Sequence, residues 1–122
     1  MVDRRSDLDT LISLDGVSFF IDAEGVYRVQ FVVKRIEATP DRPHGLRYSL
    51  TLHGARGERL VGFDNAHPVP KQKGPAARRS KVFDHHHRFR SIRPYEYQDA
   101  ATLLSDFWQQ VDEVLQELGV SR

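Results

Sequence analysis

Two short blocks, Phe63-Asp64-Asn65-Ala66-His67 and Phe83-Asp84-His85-His86-His87-Arg88-Phe89, hold four of the chain's six histidines and two aspartates. Imidazole titrates near neutrality, so paired histidines can give and take a proton in one reaction. Such a concentration of titratable groups in a short chain marks a candidate site. Two chemistries fit it. In metal-free cleavage of RNA, one histidine takes the proton of the ribose 2′-OH and another protonates the leaving 5′ oxygen. Lys and Arg stabilise the charge that builds on phosphorus. In the metal-dependent alternative, His67, His85, His87 and Asp64 bind a divalent ion such as Zn²⁺ or Mn²⁺ and activate water. The surrounding positive charge favours the first route, because it opposes a bound dication and suits a polyanion; on that route no cofactor is needed. His67, His85 and His87 are then the catalytic candidates, with Asp64 and Asp84 orienting them. Lys81, Arg88, Arg78 and Arg79 are the candidates for holding phosphate.

Strand parity sorts these residues. If one strand runs through His67, then Val61, Phe63, Asn65 and His67 share a face, and Leu60, Gly62 and Asp64 the other. In the next strand Phe83, His85, His87 and Phe89 face one way and Asp84, His86 and Arg88 the opposite way. His86 therefore reads as structural. Asp64-Asn65 has a plainer reading as an Asx-type turn. His44 and His53, each beside a turn, read as solvated surface.

The elements that must position these groups are legible in the hydrophobic pattern. Asp7 to Leu14 suits a short helix with Ser6 or Asp7 as its cap. Val17 to Ile21 reads as a strand, and Asp22-Ala23-Glu24-Gly25 as a hairpin turn. Tyr27, Val29, Phe31 and Val33 alternate with polar neighbours through a strand from Val26 to Glu37. Thr39 to Gly45, with two prolines and a glycine, ends it. Leu46 to His53 and Glu58 to Phe63 make the next strands. The segment 68–80 reads as a mobile basic loop. Lys81 to Phe89 resumes as a strand, Ser91 to Pro94 breaks it, and Tyr95 to Tyr97 is extended. Ala100 to Leu118 is a helix with Asp99 as N-cap and Gly119 beyond its end. Leu103, Phe107, Val111, Val114 and Leu115 lie on its apolar stripe, and Trp108 reads as core. The expected fold is α+β: an antiparallel sheet of about five strands, packed on one face by the long C-terminal helix, with a short N-terminal helix.

Composition sets the outer bounds. The 122 residues make one domain, and 39% hydrophobic content suffices for one core. The absence of cysteine excludes disulfides, thiolate metal sites and a Cys nucleophile. No apolar run is long enough to span a membrane or form a signal peptide, so a cytoplasmic protein is expected. The net charge of +1 conceals an asymmetry: Lys71 to Arg93 holds eight basic residues against Asp84, whereas Pro94 onward holds six acids against Arg122. A basic segment bordering histidines is where a phosphate would be held. A non-enzymatic module that grips nucleic acid or a protein through the same segment is the alternative.

Further residues carry a resemblance. Arg47-Tyr48-Ser49-Leu50, Gly62-Phe63-Asp64-Asn65-Ala66-His67, Asp84-His85-His86-His87, Pro94-Tyr95 and Leu103-Leu104-Ser105-Asp106-Phe107-Trp108 resemble the TumE-type toxins of bacterial toxin–antitoxin systems. The likeness extends from about Leu14 to Leu118, and its most specific part is Phe-Asp-Asn-Ala-His followed by Asp-His-x-His. It implies a small toxin of a type II system, encoded beside a helix-turn-helix antitoxin and acting as an endoribonuclease on RNA. The motif positions carried over are Asp64, His67, Asp84, His85 and His87, with His86 at the variable place. Whether such a toxin self-associates into a homo-oligomer is left open by the sequence.

Overall fold

The computed structural model describes residues 4–40, 42–65 and 84–122, with side chains from residue 7 onward. The segment 68–80, and with it Arg78 and Arg79, lies outside the described residues, as do His67, Lys81 and Phe83.

Helix α1 (Arg4–Ser13) leads into β1 (Ser18–Phe20), β2 (Arg28–Arg35), β3 (Leu46–His53), β4 (Arg59–Asp64), β5 (His85–Arg88), β6 (Ser91–Pro94) and helix α2 (Ala100–Glu117). The six strands form one antiparallel sheet in sequence order. That is one strand more than the pattern predicts. The added strand is β6, placed where Ser91 to Pro94 reads as a break. It is an edge strand, so Pro94 needs no ladder partner on its outer side. The β5–β6 turn is the two residues Phe89-Arg90, with Phe89 at φ 53° in the left-handed region. Glycine usually fills that place, so the turn carries no sequence signal.

Both helices cover the same sheet face. Val29, Phe31 and Val33 of β2, Leu46, Tyr48, Leu50 and Leu52 of β3, and Val61 and Phe63 of β4 are buried there. They meet Leu11 of α1 and Leu103, Phe107, Val111, Val114 and Leu115 of α2. Burying each of these large side chains stabilises the fold by roughly 1.5–3 kcal/mol. Trp108, expected in the core, is partly buried at its margin, packing on Phe107 with ring centroids 5.3 Å apart and on Phe31 at 6.2 Å. Asp99 caps α2 by accepting the Thr102 N–H at 2.7 Å, and Gly119 follows the helix at φ 72°. The predicted helix and its boundaries stand.

The end of β4 is held by a side chain. Asn65 is fully buried; its Oδ1 accepts the Tyr48 N–H at 2.8 Å and its Nδ2 donates to the Leu46 carbonyl at 2.7 Å. The amide thus replaces a peptide group in the β3 ladder, and the Asx-type turn expected at Asp64-Asn65 is corrected: Asp64 ends β4 and the Asn65 side chain bonds across to β3 rather than to its own neighbours. Asp64 is fixed at the last position of the strand as a consequence.

Candidate functional site

The register decides which side chains meet. Asp64 pairs with His85, Phe63 with His86 and Gly62 with His87. Phe63 belongs to the core, so parity sends Asp64, His85 and His87 to the opposite, helix-free face. There the His85 Nε2 lies 2.9 Å from Asp64 Oδ1, and the His87 Nε2 lies 3.4 Å from Asp64 Oδ2. Asp64 and His85 are buried and His87 is nearly so.

The protonation pattern follows from donor chemistry. Arg59 Nη2 is 2.9 Å from His87 Nδ1. A guanidinium has only donors, so Nδ1 accepts and the ring proton of neutral His87 sits on Nε2, toward Asp64. Burial, with the Arg59 charge beside it, lowers the His87 pKa from 6.5 to about 4. Burial by itself would raise the Asp64 pKa, but the hydrogen bond from His85 and the nearby His85, His87 and Arg59 charges prevail and lower it. The result at neutral pH is an ionised Asp64 holding a neutral His87 whose Nδ1 lone pair accepts from the Arg59 guanidinium.

Gly62 makes this arrangement possible. A Cβ there would stand 2.9 Å from Arg59 Cδ and 3.5 Å from His87 Cδ2. With no side chain between them, Arg59 crosses the strand to reach the imidazole.

The other candidates lie elsewhere. Asp84 sits on the helix side of the sheet, where its Oδ2 accepts from the Tyr48 hydroxyl at 2.7 Å and lies 2.9 Å from His44 Nε2. His44 Nδ1 accepts the Leu46 N–H at 3.3 Å, so Nε2 is the donor to Asp84. Burial, with Asp84 next to it, pushes the Tyr48 hydroxyl pKa well up, so this group remains a donor. His44 also packs on Tyr97, with ring centroids 4.3 Å apart. The expectation of a solvated His44 is therefore corrected: its side chain is 11% exposed and ties the turn before β3 to the start of β5. Arg88, on the helix face, is bonded to Gln110, Glu113 and Glu117 of α2. A cation matched by two carboxylates beneath the sheet is not gathered with the imidazoles. His86 stacks on Phe63 at 5.2 Å, as parity predicts for a structural residue. His53 is tied to Gly57 and Thr51 by its two ring nitrogens. Sequence reasoning missed Arg59, whose place near His87 depends on a bulge between β3 and β4 that no local residue announces.

Asp64, His85 and His87 could also hold a metal ion, since one ligand atom from each lies within 4.8 Å of the others. The separations of 2.9 and 3.4 Å match ligands sharing one ion; metal–ligand bonds of about 2.0–2.1 Å imply roughly that spacing. The Arg59 bond opposes it, because a metal on Nε2 needs a proton on Nδ1, where the guanidinium now donates. The donor set fits an ion once Arg59 is displaced.

No helix among the described residues is long and apolar enough to cross a membrane. No curated protein and no solved structure matches the chain. The model of one family, described as Toxin TumE, matches residues 5–115, a span that takes in both histidine blocks and most of both helices. On that match, together with the motif blocks it encloses, this chain belongs to the TumE toxin family and has the role of a toxin.

Proposed function

We propose that the toxin is a metal-independent endoribonuclease with Asp64 and His87 as its base dyad. The observation that carries this reading is the orientation of His87: Nε2 toward Asp64, and the Nδ1 lone pair toward Arg59. When RNA enters, Arg59 turns to the phosphate and Nδ1 accepts the proton of the 2′-OH. The 2′ oxygen attacks phosphorus, and the bond from phosphorus to the 5′ oxygen breaks. The leaving oxygen takes a proton, giving a 2′,3′-cyclic phosphate and a 5′-OH end. His67, two residues past Asn65 in the chain, is assigned the acid role on sequence alone. Arg59 stabilises the charge on the phosphorane. His85 fixes Asp64 from its other oxygen.

A second reading rests on the three convergent ligand atoms of Asp64, His85 and His87. There a divalent ion would activate water. The two readings separate by chelation. Purified toxin is expected to cleave RNA in excess chelator, and His87→Ala to lose at least a hundredfold in rate. Loss of cleavage on chelation with recovery on adding Mn²⁺ or Zn²⁺ selects the metal reading. Equal RNA degradation and growth arrest from wild type, His67→Ala and His87→Ala removes the site altogether. The system is read as type II in the cytoplasm, with a helix-turn-helix antitoxin protein as partner. Rescue of growth by co-expressing the neighbouring small protein, with co-purification of the two, is the expected result.

A further inference from the structure

The helix-free face of the sheet continues past the dyad. Two grooves lie on it side by side. One, of about 380 Å³, is lined by Gln30, Val32, Ser49, Thr51, His53 and Arg59. The next, of about 340 Å³, runs over Phe20, Arg28 and His53 to the turn at Gly57. Arg59 joins the first groove to His87, and His53 is shared by both. Phe20 is 56% exposed at the sheet edge, opposite Arg28 in the register.

Charge on this face has one dominant sign. Strand alternation puts Arg28, Lys34 and Arg47 there, and Arg59 reaches it through His87; Asp64 is the single carboxylate among the described strand residues of that face. Lys34 is paired with Asp15 and Arg59 lies 3.9 Å from Asp64, which leaves Arg28 and Arg47 along the sheet beside the Arg59–His87 pair. Polar side chains between them (Gln30, Ser49, Thr51) line the first groove.

We infer that this face is a track for single-stranded RNA, holding two consecutive nucleotides next to the scissile phosphate, with a base stacked on Phe20. The inference rests on the ribonuclease reading and names its substrate class. Each groove has the capacity of one small ligand. Unpaired bases stack on aromatic rings presented by sheets, while arginines follow the backbone. A duplex cannot use the track, because its bases are already stacked and its edges turned inward.

The test is binding, measured on the full chain silenced by His87→Ala so that cleavage does not intervene. The probe is a labelled single-stranded RNA of about ten nucleotides, compared with a duplex of the same sequence. The silenced chain is expected to bind the single strand at least tenfold more tightly than the duplex. Phe20→Ala, at an exposed position, is expected to weaken binding roughly tenfold by loss of one stacked base. Gln30→Trp, which fills the first groove, should do the same, with its thermal melting checked against the parent. A benzophenone side chain at Val32 should crosslink to the single strand, and one at Gln116 on α2 should not. Equal affinity for duplex and single strand, or parental affinity in Phe20→Ala, overturns the track. Binding is read on the silenced chain and cleavage on the wild type, so single-strand binding by the first without cleavage by the second sinks the ribonuclease reading alone, and wild-type cleavage with binding indifferent to Phe20 sinks this one alone.

Discussion

His87 is held between a carboxylate and a guanidinium that pull its basicity in opposite directions. Burial and Arg59 win, and the ring stays neutral down to about pH 4. In the proposed cleavage a base with this setting is unprotonated well below neutral pH, although its low basicity leaves much of the proton abstraction to be driven by Arg59 on the phosphate. Arg59→Met separates these effects. The acid limb of kcat/KM, expected near pH 4 in wild type, should move up in the variant as the nearby charge disappears, while burial, the larger cause, still holds it below the ordinary imidazole value. The rate at neutral pH should drop at least tenfold. A profile with an unmoved acid limb would show that His87 is not the titrating base. At this scale the sequence was half legible. Strand parity placed His85 and His87 together and turned His86 away. It could not place Arg59, which crosses a strand over Gly62, nor see that Asp84 would be taken by Tyr48 and His44 on the other face. Those pairings depend on register across strands far apart in the chain.

Strands β3 and β4 meet through a buried amide, and the site depends on how firmly that junction is closed. Removing the Asn65 side chain leaves the Tyr48 N–H and the Leu46 carbonyl buried without their partner. Asn65→Ala is therefore expected to destabilise the protein by about 2–4 kcal/mol in urea unfolding. A loss below about 0.5 kcal/mol would mean that water replaces the amide. Because Asp64 is the neighbouring residue, the same variant should lose RNA cleavage more steeply than its remaining folded fraction accounts for. The long elements behind this junction were readable because they repeat: β2 and β3 alternate over eight residues each, and α2 keeps its stripe over eighteen. Strand β6 was not, since it is four residues long, ends in proline and follows a turn in which phenylalanine stands in a glycine conformation. Short edge strands are specified by their neighbours more than by their own residues.

The molecule as a whole divides its labour between the two sides of one sheet. The helices and nearly all the buried apolar groups are on one side, so stability is generated there. The other side holds an ionised Asp64 and a neutral His87 in a setting only the folded state imposes, so pH acts on the whole molecule through that face. In the unfolded chain His87 takes its proton at its ordinary value of 6.5; in the folded protein it refuses until about 4. The unfolded state thus binds more protons between these values, and stability falls as pH falls through the window. The contribution is complete above pH 6.5 and is lost on approaching 4; it is on the order of 2–3 kcal/mol. Asp64, also lowered, adds a further loss once pH drops below its ordinary value of 3.8. Urea unfolding at pH 7.5 and pH 4.5, in wild type and His87→Gln, isolates the histidine. Wild type should lose about 2 kcal/mol more than the variant between the two pH values. Parallel losses would place the acid sensitivity elsewhere and show that the fold does not lower the basicity of His87, so that the buried, Arg59-held imidazole of the proposed base dyad is not the state in solution.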